Sequence, residues 1–224
     1  ASWYDGDKIK LSRDRVDRLG YFTDVNVETQ EVPGAPDQVD LLITVAEKPT
    51  GSLQLGAGFS SAEKVSLSFA IKQENAFGSG NYLGVEVNTS KYRRTLVFST
   101  TNPYFTADGV SRTLDVYYRT DKPYEDQGGN YELVTKGASI RFGVPFSETD
   151  TVFFGGGMEQ IAIKPGTNIP AAYLNYADRF GYNSTAVPLT IGWSRDNRDS
   201  ALAPNSGRYQ RFNSEWSVAG DARY

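Results

Sequence analysis

The 224-residue sequence has no cysteine, no histidine and a single methionine. Without cysteine there is no disulfide and no thiolate metal site. With histidine also absent, Ser-His and Cys-His triads and the usual zinc sites are excluded. No stretch approaches the ~18 to 20 consecutive apolar residues that a spanning helix needs. Excess charge is slight: a net charge of -4 and a pI near 5.0 argue against a general nucleic-acid binder. No signal peptide is visible and Ala1 begins in mid-phrase, so the sequence reads as an internal piece of a longer precursor. Carboxylate pairs such as Glu125/Asp126 and Asp196/Asp199 sit in turn-like sequence and read as solvated charge, and no cofactor motif appears. Gly155-Gly156-Gly157 is followed by neither Lys-Ser/Thr nor a helix, so it is no phosphate loop and reads as a thin, kinked strand. The sequence does not read as an enzyme.

What is present is alternation. Leu53, Leu55, Ala57 and Phe59 interleave with Ser52, Gln54, Gly56 and Gly58. Val65, Leu67, Phe69 and Ile71 interleave with Ser66, Ser68, Ala70 and Lys72, and Leu83, Val85 and Val87 with Tyr82, Gly84, Glu86 and Asn88. The pattern returns at 114–118, 140–144, 187–193 and 212–218. Successive strand residues point to opposite faces, so each segment is a ribbon with one apolar and one polar face. A soluble sheet such as a β-sandwich would put a core on the apolar side, whereas a membrane barrel would put lipid there. The mean hydropathy of -0.46 excludes neither, because spanning strands are apolar only at every second residue. An aromatic content of 13% suits the interfacial girdles of a barrel. In that arrangement Leu67, Phe69 and Val85 face lipid, with Leu67 near mid-membrane. Ser68, Glu86, Asp115, Arg119, Arg141 and Glu159 face a watery interior, where simple solvation accounts for them.

The first fifty residues differ. Asp5 or Asp7 can cap a helix in which Ile9, Leu11, Val16 and Leu19 recur at helical spacing, Arg18 suits the last turn and Gly20 stops it. Strands over 25–32 and 39–47 follow, joined by a turn over Pro33–Asp37. Lys48-Pro49-Thr50 is a short junction. This unit reads as the C-terminal part of a small α/β domain that lacks its first strand. Beyond it, short turns at 74–80, 102–109 and 146–150 alternate with long polar connections at 120–134 and 164–186. Outer-membrane barrels show this asymmetry, with tight periplasmic turns and long external loops, although the links near 60–64 and 88–93 are short. By that rule Tyr124 and Asn175 face outside, and Phe77 and Phe146 face the periplasm. A short helix fits Ala171–Phe180, ended by Gly181. The count is about nine strands of the ~9 to 11 residues that a tilted spanning strand requires.

Several phrases carry a resemblance. Arg18-Leu19-Gly20-Tyr21-Phe22 with the following hairpin is similar to the end of a POTRA domain. Thr50-Gly51-Ser52 then opens a barrel, and Glu74-Asn75-Ala76-Phe77-Gly78-Ser79-Gly80 and Thr101-Asn102-Pro103-Tyr104-Phe105 resemble its first two periplasmic turns. Asp196-Asn197-Arg198-Asp199 with Pro204 and Gly207 resembles a further one. In this order the phrases resemble the POTRA-plus-barrel insertases, the outer-membrane β-barrel assembly factors. The resemblance implies a mainly β fold. Residues 1–49 would be the C-terminal part of a periplasmic POTRA domain, and residues 50–224 the N-terminal portion, nine strands or so, of an antiparallel transmembrane β-barrel.

The same resemblance implies a function and partners. The function is non-enzymatic insertion of β-barrel proteins into the outer membrane of a Gram-negative bacterium. The partners are unfolded outer-membrane clients, membrane lipids and accessory lipoproteins. The expected client-pairing edge is the first barrel strand: Gly51, Ser52, Leu53, Gln54, Leu55, Gly56, Ala57, Gly58 and Phe59, whose three glycines would let it bend or open. Two alternatives remain at this point, a two-partner secretion transporter and a plain diffusion porin, the latter leaving the N-terminal unit unexplained.

Overall fold

A computed structural model describes residues 4–61, 63–123, 130–198 and 205–221, with only the backbone of Arg18. Tyr124, Glu125, Asp126, Asp199 and Pro204, and the expectations attached to them, lie outside the described residues. The chain divides into two compact units, one ending at Gly51 and one beginning at Ser52.

In the first unit, helix α1 spans Gly6–Arg18. Its cap is Asp5, whose Oδ1 accepts from the backbone N–H groups of Asp7 and Lys8, both at 3.1 Å. Strands β1 (Phe22–Val32) and β2 (Ala35–Glu47) form an antiparallel hairpin. The turn is two residues, Pro33 and Gly34, not five, and Gly34 takes the positive φ of +85° that the tight reversal requires. The strand therefore begins before Pro36, which falls where the register is irregular between Val32↔Ala35 and Glu31↔Val39. There proline's missing N–H breaks no ladder bond. Val25 is the buried centre of the unit, and Arg13, itself exposed, donates to its carbonyl at 3.1 Å.

The second unit is one antiparallel sheet of nine strands, in sequence order from edge to edge. They are β3 (Gly51–Ser60), β4 (Lys64–Gln73), β5 (Tyr82–Thr89), β6 (Arg93–Asn102), β7 (Ser111–Asp121), β8 (Glu132–Pro145), β9 (Asp150–Lys164), β10 (Asn183–Asp196) and β11 (Tyr209–Gly220). Among the described residues of this unit the sheet is not closed on itself, and its nine strands form one layer, not the two packed sheets of a sandwich. Helix α2 spans Ala171–Phe180, as its spacing predicts. Strands run further than expected at the long-loop end, β7 to Asp121, β8 from Glu132 and β9 to Lys164, so those connections are shorter than their polarity suggests.

Register sorts the side chains into two faces. Ile71↔Val85, Val85↔Phe98, Phe98↔Val116 and Val116↔Ala138 stand in one row. These are the apolar positions, and they are open: Val116 is 53% exposed. A contiguous apolar face of this size, uncovered by protein, needs an apolar solvent. The opposite, inward face carries the polar positions, and its charges are more than solvated. Asp115 accepts from Ser99 Oγ at 2.5 Å, Glu86 from Asn88 at 2.6 Å, and Thr101 meets Thr113 at 2.9 Å. Part of the small buried core is also on this side, by α2, where Tyr176 meets the buried Ser184 hydroxyl at 2.7 Å and Ala177 and Ala186 are buried. Leu67 pairs with Thr89 near the strand ends, so it sits nearer the rim than mid-membrane. The central row is that of Val116.

Gly155-Gly156-Gly157 lies within unbroken β9 with continuous register to β8 and no left-handed φ. The expected kink is absent. These glycines serve close approach: a Cβ at Gly157 would stand 2.6 Å from the Ala138 carbonyl. Gly137 works similarly. Tyr117 lies across it, and its hydroxyl donates to Glu159 at 2.6 Å, two strands away. A Cβ on Gly137 would meet the Tyr117 hydroxyl at 2.7 Å and the Met158 carbonyl at 2.8 Å. Gly137→Val is therefore expected to cost about 1–3 kcal/mol through overpacking, read from the urea midpoint of the folded protein in detergent. Tyr117→Phe, which only frees a carboxylate next to water, should cost less.

Candidate functional site

The expected site strand, β3, is one edge of the sheet and β11 is the other. All ten residues of β3 are exposed, and Leu55 and Phe59 reach 74% and 78%. Gly51 through Phe59 are thus brought together as one extended strand, with β4 on one side and an unpaired backbone edge on the other. In a strand, N–H and C=O groups of alternate residues point to the two edges, so half of those of β3 have no ladder partner among the described residues. Its outward residues 53, 55, 57 and 59 continue the apolar face.

The glycines of β3 also answer to their neighbours on β4. None of Gly51, Gly56 and Gly58 has a left-handed φ. Gly56 and Gly58 face the hydroxyls of Ser68 and Ser66, and a Cβ at Gly58 would lie 2.8 Å from Ser66 Oγ. They leave room on the inward face of β4. Beside them opens an inward cavity of about 780 Å³ lined by Ser68, Glu86, Asn88, Arg93, Arg119 and Asp121 among others, with an Arg93–Asp121 ion pair of 2.7 Å at its rim. Sequence reasoning missed this concavity because it depends on which small residues of three neighbouring strands share a row.

The short-turn end of the sheet is built for an interface. Phe105, Phe142 and Phe154 form a chain of rings with centroids 5.9 and 5.5 Å apart, and the Arg112 guanidinium stacks 4.5 Å over Phe105. Trp193 donates to Asp150 at 3.2 Å, and Arg195 binds the same carboxylate through two 2.9 Å bonds. The turn after β4 projects Phe77, fully exposed at φ 54°. Asn75 braces that turn by accepting from the Gly80 N–H at 2.8 Å. Aromatic rings with cations at one rim of an apolar face form the girdle expected at a membrane interface.

An open antiparallel sheet, apolar outside and polar inside, following an α/β unit defines part of an outer-membrane β-barrel protein with a periplasmic module. Residues 75–224 match the model of the Omp85 superfamily domain, and residues 1–48 match a POTRA model described as a surface antigen variable number repeat. The chain belongs to the Omp85 superfamily. It is 34% identical over 227 residues to the outer membrane protein assembly factor BamA of Neisseria meningitidis serogroup B, covering 97% of this chain and 28% of that one. It is 30% identical over 212 residues to BamA of Nitratidesulfovibrio vulgaris, covering 94% and 26%. The chain thus spans little more than a quarter of the length of these curated relatives. The crystal structure of BamA from Haemophilus ducreyi lacking POTRA domains 1–3 superposes with a TM-score of 0.76 at 24% identity, over 98% of this chain and 44% of that one. That likeness shows the fold.

Proposed function

We propose that this chain is the entry part of an outer-membrane β-barrel assembly factor, in which client strands pair with the free edge of β3. Residues 1–49 act as periplasmic POTRA sequence and residues 50–224 as barrel. The observation that carries this reading is the fully exposed edge strand, Gly51–Ser60, bordered on one side only. The relatives at 34% and 30% identity, both outer membrane protein assembly factors, support it. The mechanism is non-covalent. A client strand exchanges water for the backbone groups of β3, which costs little in the interface and spares several kcal/mol per group in hydrocarbon. Burial of the client's apolar face beside Leu53, Leu55 and Phe59 supplies further driving force. The partners are unfolded barrel clients, lipid and, by analogy with an assembly machine, accessory lipoproteins.

Sidedness follows from the chain path. Gly51 follows periplasmic sequence, so β3 starts at the periplasmic end, and the turns at 74–81, 103–110 and 146–149 lie there too. The connections carrying α2 and following β7 lie outside. The test has two arms in the full-length protein. Single cysteines at Asn175, Phe77 and Phe146 are exposed to an impermeant thiol reagent on intact cells, and Asn175→Cys alone should react. Cysteines at residues 52–58 should crosslink to a stalled barrel client, whereas cysteines on β7 should not. Labelling of Phe77→Cys from outside would invert the topology, and crosslinks confined to β11 would move the client to the other edge.

A further inference from the structure

The long-loop end of the outward face carries an unbalanced set of cations. Alternation along the strands puts Arg94 of β6 and Lys136 of β8 outward, in rows with Thr120 and Tyr118 respectively. Lys122 and Lys164 lie beside them, both paired to Glu132 at 3.4 and 3.3 Å. On the outward face of these four strands, four cations at this end thus meet one carboxylate among the described residues. Neither Arg94 nor Lys136 has an ion-pair partner among those residues.

Directly below Lys136 runs a shallow groove of about 790 Å³, lined by Leu96, Phe98, Val116, Ala138 and Met158, with Gln160 and Thr185 completing its polar end. Met158 is 63% exposed at its floor. Depth decides what this groove can hold. Lys136 lies two residues above Ala138, which pairs with the central Val116. At ~3.4 Å per residue and a tilt near 40°, its Cα is about 5 Å above the midplane. A snorkelling lysine reaches ~6 Å further, which brings the ammonium to the top of a ~25 Å apolar band.

We infer that this groove binds an acylated, phosphate-bearing lipid of the outer leaflet, of lipid A chemistry. Acyl chains lie in the Leu96–Met158 groove, and the headgroup phosphates meet Lys136, Arg94 and the surplus lysine charge around Glu132. An acyl chain alone leaves the cations unmatched, and a free phosphate leaves the groove empty. The assignment to the outer leaflet rests on the sidedness proposed above.

The test uses the full-length protein in neutral detergent, titrated with lipid A and followed by native mass spectrometry. Lys136→Gln and Arg94→Gln should each weaken lipid A binding about fivefold, and the double variant roughly 25-fold. Lys72→Gln, on the inward face, should leave it unchanged. Dephosphorylated lipid A should bind the wild type as weakly as lipid A binds the double variant, and millimolar inorganic phosphate should not compete. Heat-modifiability verifies that each variant is folded. Double-variant affinity within twofold of wild type would overturn the site, and so would equal binding of the dephosphorylated lipid. Preference for phosphatidylglycerol over lipid A would overturn the lipid class. Labelling of Asn175→Cys from the periplasmic side only would refute the outer-leaflet assignment through sidedness, whatever the lipid titration gives.

Discussion

Val116→Arg is expected to lower the folding stability of the full-length barrel in bilayers by about 2–4 kcal/mol, the cost of a cation on the lipid face at mid-depth. Val116 is the sixth of the eleven residues of β7 and is flanked in its row by Phe98 and Ala138, so an arginine there has no neighbouring carboxylate and the longest path to water. Ser99→Lys is the matched control. Ser99 is one residue from Phe98 but points inward, where its hydroxyl already donates to Asp115. A lysine there replaces a hydrogen bond with a charge pair in water-filled space, and the expected change is within about 1 kcal/mol. Leu67→Arg, opposite Thr89 near the rim, should fall near the control, since the penalty fades to ~0–1 kcal/mol toward the interface. The measurement is the urea midpoint of folding into vesicles at constant m-value. Equal penalties at Val116 and Ser99 would mean that the outward face does not meet lipid.

The period-2 pattern made the outward and inward faces legible in the sequence, because register ties every strand to its neighbours by the same alternation. Helix α2 was legible too, since Pro170 before it and Gly181 after it punctuate a ten-residue segment. The α1 cap at Asp5 was readable as one of two candidates. Depth was not legible. Alternation says which way Leu67 points but not how far it lies from the membrane centre, which depends on the stagger of nine strands. Nor could sequence reveal that Tyr117 reaches Glu159 across Gly137, a contact between residues 42 positions apart. The glycines of β3 and β9 were legible as special, yet their reason was not. Flexibility and close approach leave the same letter in the sequence, and only the neighbours at Ser66, Ser68 and Ala138 show the close approach. Nor was the cation cluster legible, because only the strand rows bring Arg94, Lys122, Lys136 and Lys164 to the same end.

A proline scan of β3 is expected to split into two classes, and the split tests the proposed mechanism most severely. Backbone N–H groups of residues 53, 55 and 57 point to one edge of the strand and those of 52, 54, 56 and 58 to the other. One set bonds to β4 and the other faces the open edge. Proline removes its own N–H donor, so proline in the β4-facing set breaks the sheet's own ladder and should reduce folding of the barrel, as should proline inside β4. In the edge-facing set no ladder bond among the described residues is lost, and edge strands tolerate proline. These variants should fold, as judged by heat-modifiability, and yet slow insertion of a barrel client into vesicles by tenfold or more. Each missing donor strands a client carbonyl where desolvation costs ~1–3 kcal/mol. Leu55→Val, which keeps the N–H and the apolar surface, should insert clients at the wild-type rate. A folded edge-facing proline variant with undiminished insertion would remove the strand-templating mechanism while leaving the barrel, its faces and its family membership intact.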